Sequence, residues 1–529
     1  MSDCASNAYD AVNYPSFPLA QTHPDRLSVL ATLFGLSPAP VEHCRVLELG
    51  CGEGSNIIPM ALQLPGSRFT GVDLASQPIA SGQGMVESLG LRNIVLRQLD
   101  IMEIGPDWGI FDYIIAHGLY SWVPRQVRDK LMAICGANLA PDGVAYISYN
   151  TYPGGHMRQM MREMMQFHTV HVEDPARKIA HALDLVSFLE QGQTGGGTQN
   201  PALKKELEHI RAYQHHALLY HDDMAESNTP VYFQQFAEHA STHGLQFLSE
   251  ADFFEMQDQL YPPEVREKLS ALAGESVVIK EQYLDFLKCR RFRQTLLCRK
   301  ERVLNREIGP EQIMGFSVAS QARPVSPNPD LGSPALEAFR GPRGAAMQTD
   351  HALSKAAMVC LGEAWPRPMP FEELTARAHA CLCRLPAAAG IHDDPEARIL
   401  AGVLLGAYSA GLIELHAYVP YFVLEPGDRP TVSRLARWQI EHGRSLLSSL
   451  NHAAVKVEDP MGAALIRLLD GSRDRAALIR DLTEAVLAGN VSFPPESSAP
   501  PTRQQFAEKI ARDLEPSLIA LARSALLVS

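Results

Sequence analysis

Basic residues are in deficit. The 529-residue chain has 47 lysines and arginines against 60 aspartates and glutamates, a formal net charge of −13. General binding to nucleic acid or to an anionic membrane surface calls for a cationic face, so neither is expected. Long apolar runs are also missing. The longest, I-L-A-G-V-L-L-G-A-Y-S-A-G-L-I at 399 to 413, falls short of the roughly 20 residues that span a bilayer, and no membrane insertion is expected. The start, M-S-D-C-A-S-N-A-Y-D, lacks the basic region and apolar core of a signal peptide. The nine cysteines include no C-x-x-C pair; Cys381 and Cys383 form only a C-x-C. No histidine-cysteine group has zinc spacing, so no metal is expected, and a reducing cytoplasm is the simpler compartment. No internal repeat is present. A chain of this length has a prior of about three domains.

The first 150 residues alternate strand and helix signals. Apolar runs recur as C-R-V-L-E-L, F-T-G-V-D, N-I-V-L-R-Q-L-D, F-D-Y-I-I-A-H and G-V-A-Y-I-S-Y-N. Helical segments separate most of them, which predicts an α/β fold with a parallel, Rossmann-like sheet. Ligands in such sheets sit at the carboxyl ends of the strands near the topological switch point. From residue 156 the pattern turns helical, and the methionine stripe M-R-Q-M-M-R-E-M-M-Q-F-H reads as core packing. The expected division is a cofactor-binding core over 1–155, a helical middle domain over 156–308, a linker over 309–349 and a mainly helical, winged-helix-like domain over 350–529. A helix from about Val231 and a strand from Leu245 to about Glu250 stand ready to complete the first sheet. The Pro-, Gly- and Ser-rich stretch 309–349 lacks periodicity and reads as a connector. Beyond it, three helices between 350 and 410 and the segment L-I-E-L-H-A-Y-V-P-Y-F-V-L, read as a hairpin, carry the winged-helix expectation. The basic stretch at 286 to 306 reads as a solvated helix face pairing with acids, or as a dock for an acidic partner.

The chemistry concentrates in V-L-E-L-G-C-G-E-G-S-N, residues 46 to 56. A dinucleotide fold wants G-x-G-x-x-G, but here Gly50, Gly52 and Gly54 are spaced G-x-G-x-G. S-adenosylmethionine has no pyrophosphate and carries an amino group and a sulfonium centre, so its turn need only let backbone approach while acids face the ligand. Glu48 can organise the methionine end. Asp73, ending the second strand, can accept both ribose hydroxyls, and Asp100 after the third can accept from the adenine amino group. Leu74 and Ile101 supply apolar walls. Asp73 as a helix cap and Asp100 as a loop acid are the bland alternatives. Asn56 either touches the methionine carboxylate or is ordinary surface, and Cys51 contributes backbone only.

After the fourth strand comes A-H-G-L-Y-S-W-V-P, where the methyl group would point. His117, Tyr120 and Trp122 are therefore acceptor-site candidates, with Tyr149 and Asn150 at the end of the fifth strand. Methyl transfer to nitrogen is an in-line displacement by a neutral amine, and aromatic walls suit a channel that strips water from it. Aromatic packing at the strand-helix junction is the alternative, and His117 is a structural or cofactor contact before it is a base. No site residue in this reading lies beyond the connector.

N-Y-P-S-F-P-L-A-Q-T-H-P-D-R-L, the glycine turn, F-D-Y-I-I-A-H-G-L-Y-S-W-V-P, S-Y-N-T-Y-P-G-G-H-M and F-R-Q-T-L-L-C-R together resemble the bacterial methyltransferases that carry a methyltransferase regulatory domain. The characterised members are rickettsial protein-lysine methyltransferases of outer-membrane proteins. The resemblance implies a class I fold, S-adenosyl-L-methionine, a protein substrate and a homodimer, and it puts Tyr14, Pro15, Phe17 and His23 in an N-terminal lid over the cofactor. Where the family pattern has a bulky aromatic this chain has Gly155, which implies a more open acceptor side. The function expected is S-adenosylmethionine-dependent N-methylation of protein lysine. The rivals are a small-molecule methyltransferase and a cofactor-binding protein without activity.

Overall fold

The computed structural model describes residues 16–194, 200–212, 219–225, 227–383, 394–491 and 502–529. Tyr14 and Pro15 lie outside these residues. The central feature is a seven-stranded sheet: β1 (Arg45–Leu49), β2 (Arg68–Asp73), β3 (Ile94–Gln98), β4 (Phe111–Ala116), β5 (Leu139–Asn150), β6 (Leu245–Glu250) and β7 (Phe292–Arg299). Their order is β3-β2-β1-β4-β5-β7-β6. All neighbours pair in parallel up to β5, and β7 runs antiparallel to both β5 and β6. β1 pairs with both β2 and β4, so the order reverses there and a crevice opens at the carboxyl end of β1.

Side-chain alternation assigns the two faces of β1. Val46 packs into one core with the helix Pro24–Leu33, while Leu47 and Leu49 join the opposite core with Leu131, Ile134 and Phe236. Period-2 burial of this kind fixes the strand register, because a slip of one residue would exchange the two faces. The first core does not stop at the sheet. It continues through Phe316, Val318, Ala357 and Leu400, so the C-terminal half is packed onto the N-terminal helix.

Three sequence expectations fail here. The basic stretch at 286 to 306 is not a solvated helix face. Its helix ends at Lys288 and Cys289 turns the chain with φ 48°, after which β7 runs inside the sheet. Arg293 is fully buried and pairs with Glu250 at 2.6 Å, Asp285 at 2.8 Å and Glu281 at 3.1 Å. The guanidinium also lies 4.0 Å over the Phe233 ring. A buried arginine with three carboxylates carries the same letters as a solvated one, which is why charge patterning misread it. The connector at 309–349 contains a helix, Pro310–Ile313, and the strands Ser317–Ala319, Arg323–Pro324, Glu337–Arg340 and Ala346–Thr349. The supposed hairpin at 412 to 424 contributes one strand, Glu414–His416, which pairs with Ser317–Ala319.

Between β5 and β6 the described residues include the helices Gly155–Thr169, Pro175–Thr194 and Pro201–Arg211. The methionine stripe does pack as core: Met161 and Met165 lie against Ala182, Val186 and Leu207. Among the described residues no helix is long and apolar enough to cross a membrane.

Candidate active site

The glycine turn follows β1 directly. Gly50, Gly52 and Gly54 have φ of 74°, 55° and 80°, left-handed values that side chains with a Cβ rarely adopt. The N–H groups of Gly50 and Cys51 both donate to the Val72 carbonyl, at 2.8 and 3.1 Å. This folds the turn over the end of β2 and brings Asp73 to it. Asp73 Oδ2 accepts from the Gly52 N–H and Oδ1 from the Ala75 N–H, both at 2.8 Å. The carboxylate therefore braces the turn; it does not cap the following helix, whose N-cap is Ala75. Cys51 is buried with its thiol held protonated by burial, so backbone is what it offers.

Glu48 is 4% exposed. Its Oε1 accepts from Asn56 Nδ2 at 2.7 Å, and Oε2 is buried without a partner. Burial, opposed by the Asn56 hydrogen bond and reinforced by the Asp73 charge, pushes its carboxyl up to about 8. A cationic ligand group beside it would satisfy that oxygen and restore the charge. Asn56 is no surface residue. Its Oδ1 accepts from the Leu19 N–H at 2.9 Å, its Nδ2 also donates to Thr22 Oγ1 at 3.0 Å, and His452 Nε2 lies 3.0 Å from Oδ1.

His23 caps the helix Pro24–Leu33, its Nδ1 accepting from the Asp25 N–H at 3.1 Å. Burial lowers its pKa to about 4. Phe17, of the same N-terminal segment, is 36% exposed. That segment is clasped from the C-terminal half. Asp25 Oδ2 meets His416 Nδ1 at 2.7 Å, and its Oδ1 accepts from the N–H groups of Ala417 and Tyr418; Arg26 pairs with Glu414. Burial would raise the Asp25 carboxyl, but the His416 charge and hydrogen bond outweigh it and hold it below the usual range.

At the far side of the crevice, Asp100 is exposed and its Oδ1 accepts from the Met102 N–H at 2.9 Å. Ile101 is buried while Leu74 is 59% exposed, an apolar surface of the kind an adenine ring covers.

His117 ends β4. Tyr146 Oη donates to Gln294 Oε1 at 2.6 Å and lies 2.9 Å from His117 Nδ1. The hydroxyl proton is used on Gln294, so His117 donates its Nδ1–H and keeps Nε2 as an acceptor. Burial lowers the ring's pKa to about 4, so it stays neutral at physiological pH. Asn150 is buried, with Nδ2 donating to Asn228 Oδ1 at 2.8 Å. Trp122 lies under the guanidinium groups of Arg158 and Arg162 at 5.8 and 5.7 Å.

Tyr120 and Tyr149 do not join this group. Tyr149 is stacked on Phe236 at 4.0 Å with its hydroxyl 3.0 Å from Thr295 Oγ1, and Tyr120 packs edge-on to Phe236 with its hydroxyl 2.9 Å from His239 Nδ1. Both rings fill the core between β5 and the helix Phe233–Thr242, the packing alternative. Gly155 does not open the acceptor side either. A Cβ there would lie 3.3 Å from Pro230 and 3.4 Å from Tyr152, so neighbouring side chains occupy the space.

The sequence reading missed Thr22, Asn228, Tyr146, Gln294 and, above all, residues of the C-terminal half. His452 meets Asn56 across 396 positions, and Arg444 forms a two-pronged pair with Glu53 of the glycine turn. No local signal marks either one. The expectation that nothing beyond the connector enters the site is corrected by these contacts.

Three acids at the ends of successive strands, an orphaned buried carboxyl oxygen and a turn spaced G-x-G-x-G fit S-adenosylmethionine. Residues 46–143 match the methyltransferase domain, 215–299 the predicted methyltransferase regulatory domain, and 428–526 the C-terminal winged helix domain described for PKMT. The winged helix therefore lies later than the helices at 350 to 410 suggested. An uncharacterized protein of Rickettsia prowazekii is 33% identical over 528 residues, covering 99% of this chain and 94% of its own length. A second one from that organism is 37% identical over 44% of this chain and 93% of its own length. The structure of PKMT2 from Rickettsia typhi in complex with AdoHcy superposes with a TM-score of 0.85 at 27% identity, over 98% of this chain and all of that one. This chain belongs to the family of S-adenosylmethionine-dependent class I methyltransferases that combine a methyltransferase regulatory domain with a PKMT C-terminal winged helix domain.

Proposed function

We propose that the protein methylates the ε-amino group of lysine in a protein substrate. The observation that carries this reading is the full-length likeness to PKMT2 of Rickettsia typhi, winged helix included. S-adenosylmethionine supplies a sulfonium methyl, which leaves sulfur as a neutral amine forms the new C–N bond from its lone pair. In this reading Glu48, Asp73 and Asp100 hold the cofactor, with Gly50, Gly52 and Cys51 approaching it through backbone and Leu74 and Ile101 walling it. His117 Nε2 accepts an N–H of the incoming amine and aligns its lone pair. With a pKa of about 4 it is too weak a base to deprotonate an ammonium group, so the amine arrives neutral and the proton goes to solvent. Asn150 and Trp122 line the approach. The enzyme works in the cytoplasm on a protein, as a homodimer, and binds no nucleic acid.

The test is incubation with labelled S-adenosylmethionine and a cell lysate. Label in protein that survives acid hydrolysis as methyl-lysine supports the reading. Label confined to the small-molecule fraction assigns the enzyme to the first rival. With cofactor saturating, the rate should rise from pH 7 towards 9, because a free lysine has a pKa of about 10.4; a flat profile points to an acceptor that is not an amine.

A further inference from the structure

We infer that the C-terminal winged-helix domain completes the amino-acid end of the cofactor site through His452, a positioning residue that orients Asn56 and, through it, Glu48. This rests on the site holding S-adenosylmethionine.

His452 sits in the turn of a hairpin, between the strands Leu446–Ser448 and Ala454–Lys456. Its φ is 58°, a left-handed value uncommon outside glycine. The turn is tied by the Ser449 N–H to the Ala453 carbonyl at 2.9 Å and by Ser449 Oγ to Asn451 Oδ1 at 2.6 Å. The hairpin is also held against the cofactor domain, by Arg444 on Glu53 and by Gln63 Nε2 at 3.5 Å from the Ser449 carbonyl.

The hydrogen-bond directions follow from obligate donors. The Leu19 N–H can only donate, so it fixes the acceptor oxygen of Asn56 on its side and turns Nδ2 to Glu48. His452 Nε2 faces the same oxygen and must carry a proton, which leaves Nδ1 as a bare acceptor. His23 Nδ1 accepts from the Asp25 N–H, so its proton is on Nε2. Three atoms are then buried without partners: a donor, His23 Nε2, an acceptor, His452 Nδ1, and Glu48 Oε2, which becomes a second acceptor when a cation beside it ionises the carboxyl. The residues are 5%, 3% and 4% exposed, and the two imidazole rings are 4.9 Å apart. Orphaned buried polar atoms are costly and rare. One donor and two acceptors, on Glu48 and His452 that both bond Asn56 and on His23 beside His452, complement a zwitterion, whose carboxylate accepts and whose ammonium donates. The amino-acid end of the cofactor is such a group; its adenine and ribose are not. Docking of the winged helix and capture of that end are therefore coupled, and a substrate that binds through the domain changes cofactor affinity by the factor by which the cofactor changes its own.

The test compares two ligands by titration calorimetry on the full chain: S-adenosylhomocysteine, and 5′-methylthioadenosine, which lacks the amino-acid end. His452→Ala should weaken S-adenosylhomocysteine by roughly tenfold and leave methylthioadenosine unchanged. His452→Gln, which keeps both a donor and an acceptor, should recover most of the loss. Arg444→Ala, a change of a partly exposed residue, should give the same selective pattern more weakly, and it carries the test alone if the alanine variant at 452 does not fold. Equal loss for both ligands, or none for either, overturns the inference. Failure of the wild-type chain to bind either ligand is a different failure, that of the cofactor assignment.

Discussion

Replacing Glu48 with glutamine should abolish a proton release that accompanies cofactor binding. The buried carboxyl, raised to about 8, carries about 0.9 proton at pH 7. A cation placed against its orphaned oxygen lowers a carboxylate pKa by about 1 to 3 units. Bound to S-adenosylmethionine, Glu48 would then sit between about 5 and 7, and binding at pH 7 should expel about 0.4 to 0.9 proton. Calorimetry in two buffers of different ionisation enthalpy measures this number directly as the slope of apparent binding enthalpy. The release should shrink above pH 8, where Glu48 has already ionised in the free protein, and be absent in Glu48→Gln. A wild-type slope of zero at pH 7, or an unchanged slope in the glutamine variant, would refute the placement of a cationic ligand group at Glu48.

Asp73→Ala should weaken cofactor binding by about 2 to 3 kcal/mol, the scale for losing a charged acceptor, in a protein that still folds; calorimetry on the purified variant checks it. Arg293→Met should destabilise the protein by about 3 to 5 kcal/mol, because Glu250, Glu281 and Asp285 are left buried without their counter-charge; urea unfolding reads the loss, and a shift below 1 kcal/mol would contradict the pairing. Acid should loosen the lid before it unfolds the rest. His23 is lowered to about 4, so the unfolded chain binds more protons between pH 6.5 and 4 and stability falls across that window, by roughly 3 kcal/mol for this ring alone. His117 acts in the same direction. Glu414 is held at about 2, burial being outweighed by Arg26, so its contribution, present above about 4.5, is lost only on further acidification. Melting temperatures from pH 7 to 3 test the order.

The features legible in the letters alone are those that repeat locally. The alternation of apolar runs gave the parallel strands, and the spacing of Gly50, Gly52 and Gly54 with acids at three strand ends named the cofactor. Both are short-range signals, because a strand's period and a turn's φ angles are set by a few neighbouring residues. Tyr120 and Tyr149 show where that reading stops. An aromatic at a strand end looks the same whether it faces a substrate or a helix, and only the position of Phe236 decided between them. Arg293 was read as solvated because its three carboxylates come from β6 and a helix that local pattern could not place beside it. His452 is the extreme case. Its neighbours in sequence describe a hairpin turn and nothing more, and its role exists only because tertiary packing carries that turn to Asn56. Hydrogen bonds act over about 3 Å, so a network assembled from residues hundreds of positions apart becomes visible only once the chain has folded.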